Sequence, residues 1–361
     1  MSKSIDKRAK HDNQDRLSDL PDCVLLHILS SLNSKQILTL RDSSIAPHTL
    51  DLQCRGTIDT ELLGMILNYI CSHNAHIQQL RICVTADSRP ILSCISKCRA
   101  LTSLKLSIYP RDSDSGRALT SLKPSICPRD SDSDDYKETL FPKSLNLPLL
   151  TSLDLENFTF CGGESGCAEP FSAFTKLNSL VIRCCKVKDA QILNISSETL
   201  VNLTVEGYLY NLSQIKLSTP SLCIFTFTGI PVQKICGSGL SSVKQVNIDA
   251  QDFGSSVDYG LVLLSWLHDF VSVESLSVSS TTVQILSLVP NLLKIEESLK
   301  GVKNTSYCSQ FAAPTSAAES ASAIAVAPAS AANDDKSSNE DKVEKHQLTL
   351  NHHFQIMTNE Q

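Results

Sequence analysis

The sequence predicts an α/β chain: a repeat solenoid built on a curved parallel sheet, preceded by a short helical segment and followed by a tail with no core of its own. Three observations predict it. A six-residue phrase with three spaced apolar positions recurs along the middle of the chain, an apolar stripe of helical period stands near the N-terminus, and the large apolar residues thin out beyond Ser309.

Composition sets the frame. The chain has 361 residues, 42% of them hydrophobic and 19% charged, with a formal net charge of −6. That is enough apolar material for a sizeable core, and the mild acidic balance lacks the broad basic surface that phosphate backbones require. Nucleic acid is not an expected partner. Residues 1–14 read as a flexible basic N-terminus, in which Lys7-Arg8-Ala9-Lys10 is a weak cluster that could assist nuclear import but reads more simply as a solvated terminus. No apolar stretch of the secretory kind follows it, so a cytoplasmic and/or nuclear location is expected, with free thiols for the 14 cysteines. The richest apolar stretch, Gly260 to Val273, is interrupted by Ser265, His268 and Asp269, so no membrane partner is expected. Five Asn-x-Ser/Thr triplets, at Asn157, Asn194, Asn202, Asn211 and Asn304, then carry no glycan meaning.

The first element is a helix within residues 15–36. Pro21 suits a first helical turn, where its missing N–H costs nothing, and Asp22 complements the positive end of the helix. Val24, Leu25, Ile28, Leu29 and Leu32 gather on one stripe, which some other surface must cover.

The repeats follow from residue 60 to about 300. Their phrases, of the form Leu-x-x-Leu-x-Leu, begin at Ile77, Leu101, Leu150, Leu177, Leu200, Leu222, Val243 and Val273. The last two apolar positions of each alternate as on a strand with one buried face. They define an expected core of Leu80 and Ile82, Leu104 and Leu106, Leu153 and Leu155, Leu180 and Ile182, Leu203 and Val205, Phe225 and Phe227, Val246 and Ile248, and Leu276 and Val278. Consecutive middle residues stand 24 (Leu80 to Leu104), 49 (to Leu153), 27 (to Leu180), 23 (to Leu203), 22 (to Phe225), 21 (to Val246) and 30 (to Leu276) apart. Most fall near the period of about 20–29 residues that defines a leucine-rich-repeat solenoid. The exposed alternates include Gln79, Arg81, Lys105, Asp154, Asn178, Arg183, Asn202, Thr204, Thr226, Gln245 and Asn247, with no charge or aromatic stripe apparent among them.

Two helices are expected as covering elements. Thr60 to Ile70 aligns Leu62, Leu63, Ile66, Leu67 and Ile70, and Tyr259 to Val271 aligns Leu263, Leu264, Leu267, Phe270 and Val271, with Trp266 as core filling. The 49-residue gap holds a tandem duplication, Arg99 to Ser115 recurring as Arg117 to Ser133 with two differences. One of them replaces Leu106 by Pro124, which would break a central strand, so residues 110–145 read as a loop insert. Its Asp-Ser-Asp-Ser runs resemble sites of acidophilic kinases, although a solvated loop is the simpler reading. Residues 309–361, rich in Ala, Ser and charge, read as a disordered tail.

Leu20-Pro21 followed by Val24-Leu25, Ile28-Leu29 and Leu32 resembles the first half of an F-box, and with the repeats the chain resembles the plant F-box and leucine-rich-repeat family. The resemblance implies that Leu20, Pro21, Val24, Leu25, Ile28, Leu29 and Leu32 contact a Skp-type adaptor. It further implies that a cullin-based SCF-type ubiquitin ligase is the wider partner, and that the repeats hold a protein substrate of unknown identity. The F-box is partial: Asn33-Ser-Lys-Gln36 is not followed by the Ser-Lys-Arg-Trp-like segment of the family, and Trp266 is the only tryptophan. A repeat interaction scaffold, or a decayed paralogue without ligase binding, is the alternative.

No motif of phosphate-cradling, zinc-hydrolase or nucleophile-elbow type occurs, so no enzyme activity, catalytic residue or cofactor is expected. Cys94 with Cys98, Cys161 with Cys167, and His352-His353 lack a second pair at zinc spacing, so no metal is expected either. Cys185 suits a position that turns the chain after its strand.

Overall fold

The computed structural model describes residues 38–42, 49–110, 138–143, 145–163, 165–251, 257–270, 272–289 and 304–308. The helix expected within 15–36, the segment 1–14, the tail 309–361, Val271 and the second duplicated copy lie outside the described residues.

The chain is an α/β solenoid. Its described strands run β1 (Leu38–Asp42), β2 (Thr49–Thr57), β3 (Gln79–Thr85), β4 (Ser103–Tyr109), β5 (Ser152–Glu156), β6 (Thr159–Cys161), β7 (Cys167–Ala168), β8 (Ser179–Arg183), β9 (Lys186–Lys188), β10 (Ile192–Ser196), β11 (Asn202–Glu206), β12 (Gln214–Ser218), β13 (Ile224–Gly229), β14 (Lys234–Gly237), β15 (Gln245–Ala250), β16 (Ser275–Ser279) and β17 (Asn304–Cys308). One long sheet takes the order β1-β2-β3-β4-β5-β8-β11-β13-β15-β16-β17. Every pairing in it is parallel except that of β1 with β2.

Register converts the repeated phrase into two inward rows. Leu50, Leu80, Leu104, Leu153, Leu180, Leu203, Phe225, Val246 and Leu276 are successive partners, and Leu52, Ile82, Leu106, Leu155, Ile182, Val205, Phe227, Ile248 and Val278 are the next. All are buried, the sixteen core residues expected from the phrases at 3% exposure or less. Each rung buries its apolar face on its neighbour, which is what makes a solenoid cooperative along its length. The sheet begins before residue 60: β2 lacks the first apolar residue of the phrase, yet buries Leu50 and Leu52 in the same two rows.

A second periodic device precedes the strands. The carbonyl of Gln78 accepts from the N–H groups of Thr102 (2.8 Å) and Ser103 (3.0 Å), and the same double acceptance recurs at Thr102, Thr151, Asn178, Val201, Cys223 and Lys244, each serving the next repeat. The Thr in Leu-Thr-Ser-Leu has a role here, since the hydroxyls of Thr102 and Thr151 donate to the same carbonyls, Gln78 O (3.1 Å) and Thr102 O (3.0 Å). Backbone groups at each bend are thus satisfied without water.

The other side of the solenoid changes character along the chain. At the N-terminal end it is helical: α1 (Thr60–Ser72) starts at Asp59, whose carboxylate accepts from Glu61 N–H at 2.8 Å, and α2 (Ser88–Ile95) starts at Asp87. The expected stripe Leu62, Leu63, Ile66, Leu67 and Ile70 is buried. In the middle, segments such as Ile192-Leu-Asn-Ile-Ser alternate with period two and form a four-stranded parallel sheet, β14-β12-β10-β7, while β6 and β9 pair separately. Gly237 in β14 has φ +138°, and a Cβ there would meet the Leu217 backbone, so only glycine fits. At the C-terminal end helices return as α3 (Val257–Asp269) and α4 (Ser280–Ser287). Trp266 is core filling as expected, 1% exposed, with its Nε1–H donated to Gln233 O at 3.1 Å and its ring edge-on to Phe227.

Two expectations are corrected. The stretch read as a loop insert, 110–145, rejoins the body by residue 138: Thr139, Phe141 and Leu145 are buried, and Phe141 packs edge-on against Phe158 and Phe160. Apolar residues just ahead of the next phrase were enough to recruit it into the core. Second, ten described cysteines are free, but Cys184 is disulfide-bonded.

Candidate functional site

Residues that alternate with the buried rows form three outward rows on the long sheet. The first includes Thr49, Gln79, Ser103, Ser152, Ser179, Asn202, Ile224, Gln245 and Ser275, the second Asp51, Arg81, Lys105, Asp154, Val181, Thr204, Thr226, Asn247 and Ser277. Every one of these is partly or fully exposed. A third row runs Gln53, Cys83, Ser107, Glu156, Arg183, Glu206, Thr228 and Asp249. Of the alternates expected from sequence, all but Asn178 stand in these rows; Asn178 precedes β8 and contributes its carbonyl to the bend ladder.

A charge network unites the middle of this face, against the expectation that no charge pattern joins the alternates. Lys105 Nζ lies 2.7 Å from Asp154 Oδ2, Asp154 also accepts from Arg183, and Arg183 Nε donates to Glu206 Oε2 at 2.6 Å. Four successive strands of the sheet are thereby tied through side chains. Burial acts against the Arg183 charge, but hydrogen bonds to Asp154 and Glu206 more than offset it and hold the guanidinium more firmly protonated than usual. Beside it, Glu156 accepts from Ser107 (2.6 Å) and from the phenol of Tyr109 (2.9 Å). Burial, reinforced by Glu156, pushes the Tyr109 ionisation upward, so it remains a donor. Toward one end Arg81 sits 3.9 Å from Asp51, and toward the other Asn247 donates to Thr226 Oγ1 at 3.1 Å.

Sequence reasoning missed Asp51, Glu156 and Glu206. Glu156 and Glu206 stand immediately after phrases, at the next outward position, so extending each strand by one residue would have found them. The resulting face is largely polar and internally paired, with donors and acceptors at the strand spacing of about 4.8 Å.

A cavity of about 200 Å³ lies between Phe141, Lys143, Cys161, Cys167 and Glu169, below the usual size of a ligand pocket. Among the described residues no three His, Cys, Asp or Glu side chains gather as metal ligands, and no helix is long and apolar enough to cross a membrane. Cys185 is buried, with its thiol pushed up to about 12 by burial. The expected adaptor contacts, Leu20, Pro21, Val24, Leu25, Ile28, Leu29 and Leu32, lie outside the described residues.

No family model, no characterised protein and no solved structure matches this chain. The fold defines its class as a parallel-sheet repeat solenoid, and nothing narrower follows from likeness.

Proposed function

We propose that this chain is a leucine-rich-repeat protein of the plant F-box type, the substrate-recognition subunit of an SCF-type E3 ubiquitin ligase. In this reading the long sheet holds a protein target across its outward rows, the Leu20–Leu32 stripe docks on a Skp-type adaptor, and the cullin-based ligase performs the ubiquitin chemistry. The observation that carries the recognition half is the outward face itself: in-register rows of mostly polar, mostly part-exposed side chains, joined in the middle by the Lys105, Asp154, Arg183 and Glu206 network. A surface already ordered loses little side-chain entropy when a partner arrives. The ligase half rests on the Leu20-Pro21 motif and its stripe.

A second reading, a repeat scaffold or decayed paralogue that binds a partner without a ligase, is favoured by one observation. Residues 38–42 form a strand antiparallel to β2, in the stretch where the second half of the helical F-box would run. Pull-down with a purified Skp-type adaptor separates the two. The ligase reading expects capture by the wild-type chain and its loss in the double variant Leu20→Ala with Pro21→Ala. Absence of capture, or equal capture by the variant, leaves the scaffold reading.

A further inference from the structure

We propose that Cys71 and Cys94 form a modification site, a dithiol that closes to an intrachain disulfide when the chain meets a small-molecule disulfide. Cys71 sits in the last turn of α1 and Cys94 in α2, and their Sγ atoms are 2.9 Å apart. A disulfide needs about 2.05 Å, so small side-chain rotations close the gap with both helices in place.

The two thiols are unequal in a way that sets the order of events. Cys71 is half-buried and within reach of solvent, whereas Cys94 is 4% exposed and hydrogen-bonded to the Leu67 carbonyl at 3.3 Å. Burial, reinforced by Cys71, also raises the Cys94 thiol, which keeps it from starting the chemistry. Cys98, the third thiol nearby, is fully buried and turned to the Cys94 carbonyl. The Cys71 thiolate therefore attacks the incoming disulfide, here oxidised glutathione, forming a Cys71–glutathione bond and releasing one glutathione thiolate. That thiolate takes the Cys94 proton. The Cys94 sulfur then attacks Cys71, forming the intrachain bond and releasing the second glutathione. One small disulfide is reduced to two thiols and one protein dithiol is oxidised. The product joins α1 to α2, the two helices that cover the N-terminal repeats, and a thiol reductant reverses it.

The test treats the full chain with oxidised glutathione at neutral pH and maps tryptic peptides by mass spectrometry. The expected product joins segment 56–81, which holds Cys71, to segment 82–97, which holds Cys83 and Cys94, with fragmentation placing the bond on Cys94. Cys94→Ser is expected to stop at a stable glutathione adduct on Cys71, and Cys71→Ser to leave Cys94 reduced; circular dichroism checks that both variants fold. A lasting glutathione adduct on Cys71 of the wild-type chain would overturn the proposal. So would a bond from Cys71 to Cys83, or an unmodified Cys71 where the half-buried Cys83 has reacted.

Discussion

Arg183 donates from Nε to Glu206 on the neighbouring strand at 2.6 Å, in adjacent rungs of the same outward row. The same guanidinium reaches back to Asp154 on the strand before, so one side chain clamps three rungs. Both Arg183 and Asp154 are mostly shielded, with side-chain exposures of 24% and 16%. Partial desolvation strengthens each contact relative to one in open water, and the planar guanidinium suits a fork of this kind.

A double-mutant cycle measures this. Arg183→Gln and Glu206→Gln are expected to show a coupling of about 1–2 kcal/mol by chemical denaturation, since charge-assisted, shielded pairs exceed the usual surface value. The more exposed pair Lys244 and Glu274, 3.4 Å apart, serves as the reference and is expected to couple by less than about 1 kcal/mol and to fade with added salt. Equal coupling in the two cycles would mean that the network does not stiffen the face.

Packing is tested on two kinds of residue. Leu180→Ala is expected to cost about 2–5 kcal/mol, because its side chain is fully buried between Leu153 and Leu203 in the neighbouring rungs. Gly237→Ala is expected to cost about 2–4 kcal/mol for a different reason, a left-handed backbone and a clash with the Leu217 carbonyl. Thermal melts of both variants beside Thr204→Ala, which should lie within about 0.5 kcal/mol of wild type, separate core from face.

Alkaline unfolding should report the buried thiols. The Cys185 thiol, ordinarily near 9.0, is raised to about 12 by burial. The folded state therefore holds its proton more tightly than the unfolded state. The stabilisation is fully present below about pH 9 and is lost as pH rises toward 12, by up to about 4 kcal/mol at about 1.4 kcal/mol per unit. Cys98, raised to about 11, acts in the same direction. Stability curves for Cys185→Ala should fall less steeply between pH 9 and 11 than wild type, and parallel curves would remove Cys185 from the account.

The inward half of the sheet was legible because its signal is local. Leu180 and Ile182 alternate within one phrase, and so do Leu203 and Val205; no long-range knowledge is needed to see that they share a face. Helix α1 was legible for the same reason, from the stripe of Leu62, Leu63, Ile66, Leu67 and Ile70; its capping Asp59 was found only in the structure. The charge network was not, because it depends on register. Lys105 and Asp154 are 49 residues apart in sequence and become neighbours only when β4 pairs with β5. The short strands of the second sheet were missed because Leu193 and Ile195, or Ile215 and Leu217, give only two buried positions each, too few to stand out from a loop. Strand β2 was missed because Pro47 occupies the place of the first apolar residue of the phrase.

Site-specific photo-crosslinking tests most directly whether the outward rows of the long sheet are the surface that holds a protein partner. A photo-crosslinking residue at Thr226, in the second outward row, is compared in cells with one at Lys216, exposed on the sheet at the opposite side of the solenoid. A discrete crosslinked partner is expected from position 226 and none from position 216. Equal capture from both positions, or capture from position 216 alone, would contradict it.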